Sequence, residues 1–179
     1  MVALNSSWRS ALLLSRLSYR SLQRSMAFVI ALHNGEEAIT AGAYLPRVRE
    51  YVDRVPALRD AGLPPSLDQL YFALVVVTLV PAILVGWATT GRDSLAKREV
   101  VAVVSAGLWW NVFLPHLSAM VFFRGYAPGG LTALAVNLPM CVYFFRRSLS
   151  DGMLSRRQLM FALLLGLILL VIAPLLLLL

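Results

Sequence analysis

The sequence is short of charge, of acids and of cysteine. Only 14% of its 179 residues are charged and 59% are hydrophobic, with a mean hydropathy of +0.75. Soluble globular domains carry roughly 25% charged residues, so the shortage excludes an ordinary water-facing fold. A single cysteine, Cys141, excludes an intrachain disulfide and a cysteine cage for a metal. Acids number 9 against 16 basic residues, a formal net charge of +7. In a soluble chain that excess would suggest nucleic acid. Here the basic residues stand at the ends of apolar segments, so no nucleic acid is expected as a partner. The excess reads instead as membrane orientation and contact with anionic head groups.

What is present is a series of apolar runs between short Arg-rich connectors. A run of about 20 apolar residues crosses a bilayer, and the predicted fold is all-α: a polytopic transmembrane helix bundle of about five spans in a lipid bilayer. Four spans cover residues 26–45, 70–89, 100–123 and 128–145 and make one membrane domain, 26–145. Residues 146–179 add a basic loop and a leucine-rich fifth span. Residues 1–25 hold four arginines, seven serines and no acid. They are expected to form a basic N-terminal tail, with an organelle transit segment as the alternative. Residues 46–69 read as a proline-rich surface connector with a short interfacial helix before Pro56. Eleven basic residues lie on the side of the amino terminus and five on the other, so the positive-inside rule places the amino terminus in the cytoplasm.

Span 1 is interrupted by His33-Asn34-Gly35-Glu36-Glu37. On a helix, Glu36 lies about 60° to one side of His33 and Glu37 about 40° to the other, with Thr40 and Tyr44 between them. The opposite side, Ala31, Gly35, Ala38 and Gly42, carries two small-xxx-small pairs that would admit a closely packed neighbour. An ionised carboxyl at mid-bilayer costs about 2.5 to 3.5 kcal/mol on insertion scales, so two of them need an offset. Protonation, a hydrogen bond to His33, a metal ion and a water-filled cavity are the candidates.

Span 3 supplies partners. Asn111 and His116 point about 140° apart on a straight helix, but Pro115 between them frees the carbonyl of Asn111 and reorients His116 through a kink. Glu36, Glu37 and Asn111 all fall about 15 Å into their spans. His33, Glu36, Glu37, Asn111 and His116 are therefore the candidate catalytic set. In an acid and base version one Glu is the acid, His33 the base or relay, and Asn111 a positioning donor. In a metal version a divalent cation, Zn or Fe, draws its ligands from His33, Glu36, Glu37 and His116. Thr40, Tyr44, Trp109 and Trp110 are expected to line the substrate space. Thr132, Asn137 and Tyr143 of span 4 are weaker candidates for the same cavity, and Tyr126 to Gly130 reads as a tight turn.

The ordered set His33-x-x-Glu36-Glu37, then Asn111 and His116, then Tyr126-x-Pro128-Gly129 and Thr132, with Pro139 downstream, resembles the HXXEE family of small multi-pass membrane proteins. The likeness covers roughly residues 26–145. It implies a protein of the prokaryotic cytoplasmic membrane with the HXXEE residues as an active site. The expected function is a membrane-embedded isomerase, cyclase or metal-dependent hydrolase acting on a lipid or isoprenoid-like substrate. A proton or divalent-cation carrier using the same carboxylates, as a homo-oligomer, is one alternative, and a non-catalytic membrane subunit is the other.

Overall fold

The computed structural model describes residues 17–60 and 62–177, and among these the chain is all-α with no strand. Helix α1 runs Tyr19–Asp53, α2 Pro56–Asp60, α3 Leu67–Ala88 and α4 Leu95–Asn111. A π-helical stretch, Val112–Leu117, carries α4 into α5, Ser118–Phe122. The short α6, Gly130–Thr132, continues through a second π-helical stretch, Ala133–Asn137, into α7, Leu138–Ser150, and α8 spans Arg156–Leu177. Five long rods result: α1, α3, α4 with α5, α6 with α7, and α8. Two of them, Leu67–Ala88 and Leu95–Phe122, are long and apolar enough to cross a membrane.

Serines start four of the five rods. The hydroxyl of Ser18 accepts from the N–H of Ser21, and that of Ser94 from Lys97, satisfying amide groups that have no partner within the first helical turn. Ser66 with Gln69 and Ser155 with Gln158 form reciprocal capping pairs ahead of α3 and α8. At the other end of α3, Arg24 donates to the hydroxyl and carbonyl of Thr89, and Arg20 donates to the Gly91 carbonyl. A guanidinium at a helix C-terminus satisfies free carbonyls and complements the helix dipole. The expected tail therefore ends earlier than residue 25: α1 already begins at Tyr19, and residues 1–16 lie outside the described residues.

The core gathers at this end of the bundle, where Leu22, Met26 and Ile30 of α1 meet Val85, Val101, Ala106, Phe144, Leu159 and Ala162. Three expectations are corrected. First, α1 does not stop at residue 45 but passes through Pro46 to Asp53. Proline removes one backbone donor there, and the helix continues to Asp53, stopping just short of Val55, whose position before Pro56 disfavours helical geometry. The short helix accordingly starts at Pro56 instead of preceding it. Second, Gly35 and Gly42 meet no neighbour: a Cβ on either would find nothing within 4 Å. Close approach occurs elsewhere, at Gly166 of α8, where a Cβ would fall 2.6 Å from the Ala106 side chain and 2.7 Å from the Gly107 nitrogen. Third, Pro115 produces a π-helical turn, in which the N–H of Ser118 bonds the carbonyl of Phe113. The longer repeat absorbs the missing donor and swings His116 inward.

Candidate functional site

His33 on α1 and His116 on the π-helical turn are brought edge to face, with ring centroids 4.6 Å apart and an interplanar angle of 88°. Both are buried, 1% and 4% exposed. The chain fits between them at Gly129, the residue ahead of α6. A Cβ there would lie 2.8 Å from the Cε1 atom of each ring, and the backbone holds φ at +72°. Both conditions ask for glycine.

Each imidazole is oriented through Nδ1. His116 Nδ1 lies 2.7 Å from the carbonyl of Pro128, which only accepts, so this nitrogen carries the proton. His33 Nδ1 lies 2.9 Å from the Thr132 hydroxyl. That hydroxyl donates its single proton to Glu36 Oε2 at 2.5 Å, closer than the Gly129 carbonyl at 3.2 Å. It therefore accepts from His33, and both rings are left with an unprotonated Nε2. Neither Nε2 has a hydrogen-bond partner, although both are buried.

Glu36 and Glu37 are treated in opposite ways. The Glu36 carboxylate accepts from the Tyr126 hydroxyl at 2.5 Å, from the N–H of Leu131 at 3.2 Å, and from both the N–H and the hydroxyl of Thr132. These donors come from the turn before α6 and from its first residues, where unpaired amides favour an anion. Glu37 is half-buried, and its side chain has no hydrogen bond or ion pair among the described residues. One of its carboxylate oxygens lies with the ring nitrogens of His33 and His116 in a group whose atoms are all within 4.8 Å of one another. The side chain of Asn111 interacts with the His33 ring, and its Oδ1 is buried without a partner. Three lone-pair acceptors, a nitrogen of each ring and a Glu37 oxygen, thus lie together, and neither Nε2 has a donor to satisfy it. Such an arrangement is costly in a low-dielectric interior, and it calls for a proton, a cation or a substrate donor.

Beside the cluster lies a groove of about 400 Å³, lined by Ala31, Leu32, Gly35, Glu36, Ile39, Thr40 and Thr132. The open small-residue side of α1 forms its floor. Of the residues expected to line a substrate space, Thr40 does so. Trp109 instead packs on Phe113 and Phe145, and Trp110 donates from its indole nitrogen to the Leu163 carbonyl at 2.8 Å. Both lock α4 to its neighbours. Tyr44 packs on Phe123, with its hydroxyl buried and unpartnered. Thr132, Gly129, Tyr126 and the carbonyl of Pro128 build the site; the sequence offered Thr132 as a weaker candidate for the cavity and Tyr126 to Gly130 as a tight turn, with both in the set that resembles the family. Their signal was a glycine beside a proline, followed three residues later by a threonine. That pattern names a turn and cannot say what the turn encloses. Asn137, a weaker candidate, is fully buried on the second π-helical stretch, with both amide atoms unpartnered. The two π-helical stretches pack against each other.

Residues 25–144 match the family described as a protein of unknown function with HXXEE motif. That stretch contains every group of the site. A curated relative, the uncharacterized protein YrkK of Bacillus subtilis (strain 168), is 28% identical over 151 residues, covering 83% of this chain and 89% of its own length. No solved structure matches.

Proposed function

We propose that this chain, which belongs to the HXXEE-motif family, is a five-span membrane enzyme that carries out acid and base chemistry on a lipid or isoprenoid-like substrate. The observation that carries this reading is the unsatisfied set of His33 Nε2, His116 Nε2 and the Glu37 carboxylate, linked through Thr132 to Glu36, both of which line a largely apolar groove. Stability alone gives no reason to bring three such acceptors together, whereas proton transfer needs them.

Support for the bilayer comes from the outer surface. Phe72, Val75, Leu79 and Ile83 of α3 and Phe161, Leu164, Leu169 and Val171 of α8 are exposed. Exposed apolar bands of that length on adjoining rods are expected of lipid contact and not of water. The groove is open along α1, so an apolar chain reaches it sideways from the membrane with no aqueous transfer.

Within the site, Glu37 takes a proton from the substrate. His33 then relays it: a proton arriving at Nε2 releases the one on Nδ1 to Thr132, whose own proton passes to Glu36. Asn111 positions the reacting group. General acid and base groups contribute about 100-fold to 10,000-fold. Glu37→Gln and His33→Ala are therefore each expected to lower turnover by at least about 100-fold. The test is mass spectrometry of lipids in membranes holding equal amounts of wild type, either variant or no protein. The expected outcome is one lipid depleted and one formed with wild type alone. Identical lipid profiles in all four membranes reject the enzyme, and gradient-driven proton or cation flux in proteoliposomes would then favour a carrier.

A further inference from the structure

We propose that the cluster is a mononuclear divalent-metal site, in which Nε2 of His33, Nε2 of His116 and the carboxylate of Glu37 ligate a transition cation of the zinc or iron(II) type. This rests on the cluster being the reacting centre, and it names what the centre holds; His33 Nε2 is then a ligand and takes no proton, so the ion replaces the His33 relay of the acid and base reading.

Ligand chemistry selects the class of ion. Two imidazoles and one carboxylate suit zinc or iron(II), whereas magnesium and calcium prefer all-oxygen sets. Cys141 offers no thiolate, being buried with its sulfur directed at the Ser105 carbonyl. One nitrogen of each ring and one Glu37 oxygen lie within 4.8 Å of one another. Ligands about 2.0 to 2.1 Å from a tetrahedral zinc stand roughly 3.4 Å apart, so the cluster tightens on binding, the partnerless Glu37 side chain being the freest of the three to move.

Protonation points the same way. A ligating imidazole presents one nitrogen to the metal and donates from the other to a carbonyl or carboxylate. His116 donates from Nδ1 to the Pro128 carbonyl, and His33 donates to Thr132, which passes the polarisation on to Glu36. Both lone pairs are therefore fixed on Nε2 in advance. The Glu36 carboxylate, filled by four hydrogen bonds, orients His33 through Thr132 and is not a ligand. Charge closes as well, because a doubly charged cation balances Glu36 and Glu37. Three protein ligands leave a coordination position open for water or substrate, as in catalytic zinc sites.

Elemental analysis of the full-length protein purified in detergent, followed by Co²⁺ titration of the metal-stripped form, tests the proposal. Wild type is expected to hold close to one zinc or iron per chain and to develop visible Co²⁺ ligand-field bands; these readings need no variant. His116→Ala and Glu37→Gln are expected to lose both. Thr132→Val, which leaves every ligand in place, is expected to bind Co²⁺ about 10-fold to 100-fold more weakly, with Thr132→Ser restoring the affinity. A wild type without metal that also shows no Co²⁺ bands overturns the proposal, and so does metal retained equally by His116→Ala and Glu37→Gln. Failure here is separable from failure of the enzyme reading. A metal-free protein that converts lipid leaves acid and base chemistry standing, and a metal-bound protein that converts none removes only the enzyme.

Discussion

Glu36 and Glu37 are neighbours in the chain and differ in almost everything around them. The Glu36 side is built: Tyr126, Leu131 and Thr132 surround its carboxylate with four donors, and the same threonine ties it to His33. The Glu37 side is bare, with a carboxylate that shares its space with two imidazole nitrogens that also lack partners. One residue therefore separates a charge the protein has satisfied from a charge it has left for something else. The satisfied carboxylate holds the site in shape, and the bare one is free to react or to bind.

The largest disturbance expected is Gly129→Ala, because it strikes both regions at once. The new Cβ would press on Cε1 of His33 and of His116, and φ at +72° is strained for any L side chain. Strain of that kind costs on the order of 1 to 3 kcal/mol. A lowered melting temperature together with lost Co²⁺ binding is expected, and an unaltered melt would mean that the turn does not pin the rings.

Exchanging each carboxylate for its amide sharpens the contrast directly. Glu36→Gln removes the charge from a set of hydrogen bonds that contribute about 1.5 to 3 kcal/mol each when one partner is ionised, so the melting temperature should fall. In metal-stripped protein Glu37→Gln should leave the melt nearly unchanged or raise it, since nothing bonds the charge it removes. Thermal unfolding of the two variants side by side, in the same detergent, checks this. Equal losses would erase the distinction. A smaller step on the same side is Tyr126→Phe, which deletes one of the four donors and is expected to cost about 1 to 2 kcal/mol without altering Co²⁺ affinity by more than a few-fold.

The smallest effect concerns a satisfied carboxylate of the ordinary surface kind. Asp93 in the loop between α3 and α4 pairs with Arg98, and the guanidinium holds its carboxyl below the usual range. A carboxyl whose value is lower in the folded state adds stability above the unfolded value, near 4. The contribution is lost as pH falls through the folded value. The pair is partly exposed, so the effect stays within about 1 kcal/mol. Melting curves of wild type and Asp93→Asn should converge below pH 4 and differ slightly at neutrality.

Much of the site was legible because helical spacing is rigid. His33, Glu36 and Glu37 had to share one arc of α1, and Asn111 with His116 had to come from a second apolar rod. The sequence did not reveal which carboxylate would be satisfied. Spacing places Glu36 and Glu37 almost symmetrically about His33, and only the arrival of Thr132 and Tyr126 on one side breaks that symmetry. The small-residue face misled for a related reason. Ala31, Gly35, Ala38 and Gly42 permit a close neighbour without requiring one, and the neighbour went to Gly166, where Ala106 and Gly107 meet it. Pro46 misled because a proline weakens a helix by one hydrogen bond, a loss that a long rod such as α1 sustains.

By itself the sequence determined the helical class, the rods and their apolar surfaces, and which titratable groups interrupt the apolar runs, since all of these follow from composition and from the fixed geometry of one helix. Tertiary structure alone decided the chemistry. Distances between rods, the side of α1 against which the Tyr126 to Thr132 turn closes, and the ring nitrogen that keeps its proton are properties of contacts between segments about 90 to 100 residues apart. No local periodicity encodes them.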